Sequence, residues 1–154
     1  METKKLSEHF VLSEFIESET AKKTKIDNTP NSEIISHIQE LVDKIIEPLR
    51  KAWGSGIKIN SGYRCPALNK AIGGSSTSAH TTGWAADMRP VNGKISEFKS
   101  FVMKWLKTNK IQFDQYINEF SGNAQWVHIG LYNRSKQQRK QFLKFKNGTY
   151  SKIV

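Results

Sequence analysis

Cysteine occurs once, at Cys65, so no disulfide can form within the chain. Stability must come from packing, with a bound metal as the other available brace, and an oxidising compartment is not required. No stretch approaches the ~18 consecutive apolar residues that would span a bilayer, which excludes a transmembrane helix as the organising element. The opening residues, Met1 to Glu8, mix charged and polar side chains and show no apolar signal segment; the expectation is synthesis in the cytoplasm. Internal repeats and low-complexity linkers are missing too. So are helix-turn-helix, zinc-finger and basic-aromatic stacking patterns, and no specific nucleic-acid partner is expected.

Acidic residues are scarce: 14 Asp and Glu stand against 24 Lys and Arg, a formal net charge of +10. The excess gathers at the end, where Arg134, Lys136, Arg139, Lys140, Lys144, Lys146 and Lys152 follow one another with no acid between them. Such a field draws the molecule to polyanions. Nucleic acid, an anionic membrane and an anionic cell wall satisfy it equally, and a solvated surface that aids solubility is an equal reading.

What is present is enough for one domain: 154 residues, 37% hydrophobic and 10% aromatic. Its expected core runs from about residue 10 to 133, with a basic segment at 134–154. Phe10 to Ile16 reads as an apolar segment entering a small helix, and Lys22 to Asn31 as a polar loop. Ile34, Ile35, Ile38, Leu41, Val42, Ile45, Ile46 and Leu49 recur at helical spacing after a cap at Asn31 or Ser32, and Pro48 should kink that helix or mark its last turn. Strands are expected at Ile57 to Asn60, Trp84 to Met88, Asp114 to Phe120 and Gln125 to Leu131. Short and long helices are expected at Ala67 to Ile72 and Ile95 to Lys107. Gln141 to Lys146 reads as an edge strand, so the basic end should be docked rather than free.

The chemistry concentrates in Ser78-Ala79-His80-Thr81-Thr82-Gly83-Trp84-Ala85-Ala86-Asp87 and in Trp126-Val127-His128-Ile129. Two imidazoles and a carboxylate are the ligand set of a catalytic zinc site with one position left open for water. Asp87 and His128 can meet across a sheet, and the His80 loop can fold over them. Glu119, between the two motifs, is a candidate general base for that water, although alternation alone does not fix the face of its side chain. Other readings stay open: isolated histidines are more often satisfied polar groups, Arg64 can be an ordinary ion-pair partner, and Cys65 with a histidine would suit a thiol protease. His9 and His37 read as structural or exposed.

Together with Phe10-Val11-Leu12-Ser13-Glu14-Phe15 and Ser61-Gly62-Tyr63-Arg64-Cys65-Pro66-Ala67-Leu68-Asn69, these motifs resemble the zinc D-alanyl-D-alanine peptidase family. The likeness runs from about Phe10 to Asn133. It is nearest to small carboxypeptidases and phage cell-wall endopeptidases of the hedgehog/DD-peptidase fold. It implies an α+β fold in which a small antiparallel sheet carries the zinc site and packs against helices. It further implies that His80, Asp87 and His128 hold Zn2+, Glu119 acts as base, Arg64 holds substrate and stabilises charge on the scissile carbonyl, and Ser78 touches substrate; Trp126 matches an aromatic beside the ligand strand. The expected activity is hydrolysis of an amide in the peptide stems of bacterial peptidoglycan by an endolysin-like monomer. That monomer is drawn to the anionic wall after release from the cytoplasm. The alternatives are D-Ala-D-Ala carboxypeptidase action on free stem termini and a non-catalytic wall-binding module that keeps the zinc.

Overall fold

A computed structural model describes residues 4–153. The apolar stripe forms the central helical rod: α3 (Ser32–Leu41), a π-turn (Val42–Ile46) and α4 (Glu47–Trp53) run on without a break. Asn31 is the cap, its side chain accepting the Ile34 N–H at 2.9 Å. Ile38, Leu41, Val42, Ile45, Ile46 and Leu49 are all fully buried. Pro48 neither ends the rod nor stands in its last turn. It sits at the start of α4, where the Glu47 N–H reaches five residues back to the Val42 carbonyl. Widening the turn just ahead of a proline relieves the clash of its ring with the carbonyl four residues earlier, and the missing N–H then costs little.

Two short helices, α1 (Ser13–Ile16) and α2 (Glu19–Thr24), precede the rod. The second lies partly where a loop was expected. Ser18 caps it by accepting the Ala21 N–H, and Lys25 at φ 58° stops it. The N-terminal segment is tied to the rod by buried Glu47, which accepts from Ser7 Oγ at 2.6 Å and from the His9 N–H at 2.7 Å; the His9 ring lies 2.7 Å from its other oxygen. His9 is thus structural.

The sheet has six strands: β1 (Ile57–Ser61), β2 (Ala85–Pro90), β3 (Gln115–Ser121), β4 (Ala124–Gly130), β5 (Gln141–Lys146) and β6 (Thr149–Lys152). Their spatial order is β1-β2-β4-β3-β5-β6, antiparallel throughout except that β5 lies parallel to β3. The fold is therefore α+β as expected, with a sheet that is mixed rather than wholly antiparallel. β5 is an inner strand, a correction to its reading as an edge. Asn147 and Gly148 both have positive φ (54° and 75°), which gives the turn the twist of a tight hairpin and folds β6 back along β5.

Alternation sorts the side chains of β3. Gln115, Ile117 and Glu119 face an open cleft, while Tyr116 and Phe120 face α6 (Ile95–Thr108), where the Tyr116 hydroxyl donates to the Lys99 carbonyl. α6 buries Phe98, Val102 and Leu106 in the core on that side. The other face of the sheet is left for chemistry.

Candidate metal centre

His80 sits in a 3₁₀ turn (Ala79–Thr82) that Ser78 caps, its Oγ accepting the His80 N–H at 3.2 Å. Beneath the turn, the His37 ring stacks on Trp84 with centroids 3.8 Å apart, and its Nδ1 lies 2.7 Å from the Thr82 carbonyl. His37 is thus a prop for the His80 turn. Nδ1 of His80 lies 2.7 Å from the Gly62 carbonyl. A carbonyl only accepts, so that nitrogen carries a proton and Nε2 is left to face the cleft.

That Gly62 carbonyl is itself held. A Cβ at position 62 would lie 2.6 Å from the Phe15 carbonyl oxygen, so only glycine fits, and the Tyr63 N–H bonds the same oxygen. Buried Asn28 completes the clamp. It donates to the Ile16 and Tyr63 carbonyls and accepts the Cys65 N–H at 2.7 Å. Cys65 caps α5 (Pro66–Ala71) through its sulfur, and it does not line the cleft. A thiol-protease site loses its basis there.

Asp87 on β2 and His128 on β4 are direct cross-strand partners. Oδ1 of Asp87 lies 3.0 Å from His128 Nδ1 and 3.3 Å from His80 Nε2. The candidate ligand atoms of the three residues fall within 4.8 Å of one another, and all three residues are buried. In a neutral His80 a lone pair would face the Asp87 oxygen, an arrangement that calls for a cation between them. Two imidazoles and one carboxylate are the donor set that zinc accepts, so the residues fit the ion. Burial works against charge on Asp87, but His80 and His128 hold its carboxyl well below the usual range. Burial likewise works against protonation of His128. Its hydrogen bond to Asp87 and that residue's charge outweigh this and raise it.

The side chains form rows across the sheet. One row passes through Asp87, His128, Ile117 and Leu143. The next passes through Trp126, Glu119, Phe145 and Tyr150. Glu119 therefore stands on the cleft face one row from the cluster, the point that alternation in the sequence left open. The Trp126 indole N–H donates to its Oε2 at 2.5 Å, a role beyond packing. Burial, with the Asp87 charge adding to it, pushes the Glu119 carboxyl up.

Arg64 enters from the β1 side. Its N–H bonds the His80 carbonyl, Nη2 donates to Ser78 Oγ at 3.3 Å, and Nε is buried with no partner among the described residues. Ser78 thereby serves both the His80 turn and the Arg64 fork. Both line one cleft of about 620 Å³ with the cluster and Glu119. The C-terminal strands close its other side, which composition did not reveal. Arg139 grips fully buried Asp114 through two parallel 2.8 Å bonds, so this charge of the basic segment is spent internally. Arg134 reaches the Ser76 carbonyl, whereas Lys144 and Lys146 turn to the opposite face, around Phe120. No signal short of strand pairing could have found this division.

An α+β sheet that presents a buried His-Asp-His cluster, an acid and an arginine to one open cleft has the equipment of a metal-dependent hydrolase. The family is specific: a Peptidase M15 model matches residues 8–130, and the chain belongs to this family, the zinc D-alanyl-D-alanine peptidases. The protein is a peptidase of a metal-dependent family. No curated protein matches the chain. All six candidate residues, from Arg64 to His128, lie inside the matched span, while β5 and β6 lie beyond it. Among the described residues no helix is long and apolar enough to cross a membrane.

Proposed function

We propose that this chain is a single-domain zinc peptidase that cuts an amide within the peptide stems of bacterial peptidoglycan, in the manner of an endolysin. The observation that carries the reading is the buried His80-Asp87-His128 cluster with Glu119 one row away in the same cleft. The three residues would hold zinc, which would supply a Lewis acid to polarise the scissile carbonyl and make water acidic enough to lose a proton near neutrality. Glu119 takes that proton on the carboxylate oxygen not engaged by Trp126 and returns it to the leaving nitrogen. A raised carboxyl suits both halves of the transfer. Arg64, with its unpartnered Nε, binds the carbonyl or a neighbouring carboxylate as a fixed fork, and Ser78 orients it.

Carboxypeptidase action is the second reading, because the Arg64 fork also suits a terminal carboxylate. Cleavage within a stem is preferred because the space does not end at Glu119. A groove of about 420 Å³ continues past it, sharing Glu119, Trp126 and Phe145 with the cleft. Purified peptidoglycan incubated with zinc-loaded protein, and with protein stripped by chelator, should release stem fragments only in the first case. Mass spectrometry of those fragments identifies the bond. Loss of a single terminal alanine would select the carboxypeptidase, and no release from any peptidoglycan would overturn the proposal.

A further inference from the structure

The family match ends at Gly130, yet the cleft does not. Phe145 of β5 is the cross-strand neighbour of Glu119, and Tyr150 of β6 is the neighbour of Phe145. Both line the cleft, with their rings 4.4 Å apart and tilted at 42°. Tyr150 remains 57% exposed, so its ring is open to a bound chain. Burial and the carboxylates of Glu119 and Asp87 push its phenol up, as expected for a hydroxyl held over the same cleft.

We propose that the Phe145–Tyr150 pair is a substrate subsite for the second peptide stem of a cross-link, on the side of Glu119 away from Arg64. This rests on the peptidase reading of the cleft. The two ends of the sheet are occupied differently: Arg64 follows β1 at one edge, and Tyr150 lies on β6 at the other. A chain lying across the cluster therefore meets a cation at one end and aromatic faces at the other. The groove beyond Glu119 runs between two turns, Ser121–Gly122 and Asn147–Gly148, and is walled by Phe120, Trp126 and Phe145. Glu119 is its one charged side chain, Ser121 and Asn147 add neutral polar groups at the turns, and no cation lines it to hold an anionic polymer. It suits the alkyl side chains and flat amides of an extended peptide, such as the second stem of a cross-link.

The test compares three soluble substrates prepared from peptidoglycan: sugar-free cross-linked stem dimers, sugar-free single stems, and single stems carrying their disaccharide. Tyr150→Ala should lower kcat/KM on the dimers by about 3- to 10-fold, the size of an aromatic contact, and leave single stems unchanged. Tyr150→Phe should retain the wild-type value. Calorimetric binding of the dimers should weaken in the same proportion whether or not they are cut. An inactive wild type with Tyr150-dependent binding would end the hydrolase reading and keep the subsite. Full activity with no dependence on Tyr150 would do the reverse. Equal losses on all three substrates, or a loss confined to the disaccharide stems, would overturn the peptide subsite.

Discussion

The cleft has two halves built to different standards. In the half made by β2, β4 and the His80 turn, the three candidate ligands are buried and braced, His80 by the Gly62 carbonyl and Asp87 and His128 by each other, and half-buried Arg64 is held by Ser78. In the half made by β5 and β6, an aromatic pair stands at an exposed sheet edge, and β6 is exposed along its whole length. The first lies inside the family match and the second outside it. The difference follows from what each must do. Ligands and a general base tolerate displacements of about 0.5 Å, which takes burial and second hydrogen bonds. A surface that gathers substrate does not need that precision.

Breaking the buried half should have the largest effect. His128→Ala should reduce zinc from about one per chain to near none by elemental analysis and abolish hydrolysis, since two ligands do not hold the ion. Full zinc occupancy in that variant would remove His128 from the ligand set. Glu119→Gln comes next. Zinc and fold should persist while turnover falls by about two orders of magnitude or more, because an amide cannot take the proton. Near-normal rates in a folded variant would move the base elsewhere.

Arg139→Ala probes the joint between the halves. It leaves the Asp114 carboxylate buried and without its fork, so urea unfolding should show a loss of about 1–3 kcal/mol, limited by the partial exposure of the Arg139 side chain. Unchanged stability would mean the C-terminal strands dock without that pair. Trp126→Phe sharpens the account of Glu119. The indole N–H favours the ionised carboxylate and so lowers its pKa; removing the bond raises that pKa further. The acid limb of kcat/KM should shift to higher pH, with the alkaline limb unmoved. A shift to lower pH would contradict the direction of the hydrogen bond.

The smallest effect belongs to the reverse face. Lys144→Gln with Lys146→Gln should leave hydrolysis of soluble stems unchanged and slow digestion of intact sacculi modestly at low salt, an effect screened as the Debye length falls from about 10 Å at 0.1 M. Equal slowing on both substrates would show that these lysines act through the fold instead.

The core helix was legible because its apolar residues repeat at 3.6 for sixteen positions from Ile34 to Leu49. The His-Asp and His motifs were legible because few other jobs need those types together. Asn28, Asp114, Phe145 and Tyr150 were not. A buried asparagine looks like any loop asparagine, and an aromatic residue near the end of a basic segment looks like packing. Their roles depend on partners distant in sequence: Asn28 on Tyr63 at 35 positions, Asp114 on Arg139 at 25, and Phe145 and Tyr150 on a strand pairing that brings them beside Glu119.

By itself the sequence determined the main helices and central strands, the ligand types and the family resemblance, because hydrophobic period and local motif are properties of neighbouring residues. Only the tertiary structure decided which face Glu119 takes, that Trp126 bonds it, and that β5 enters beside β3 in parallel to put Phe145 next to the acid. Strand order and register are set by long-range pairing and by which face is buried, and a one-residue slip in β3 would have turned Glu119 from the cleft into the core.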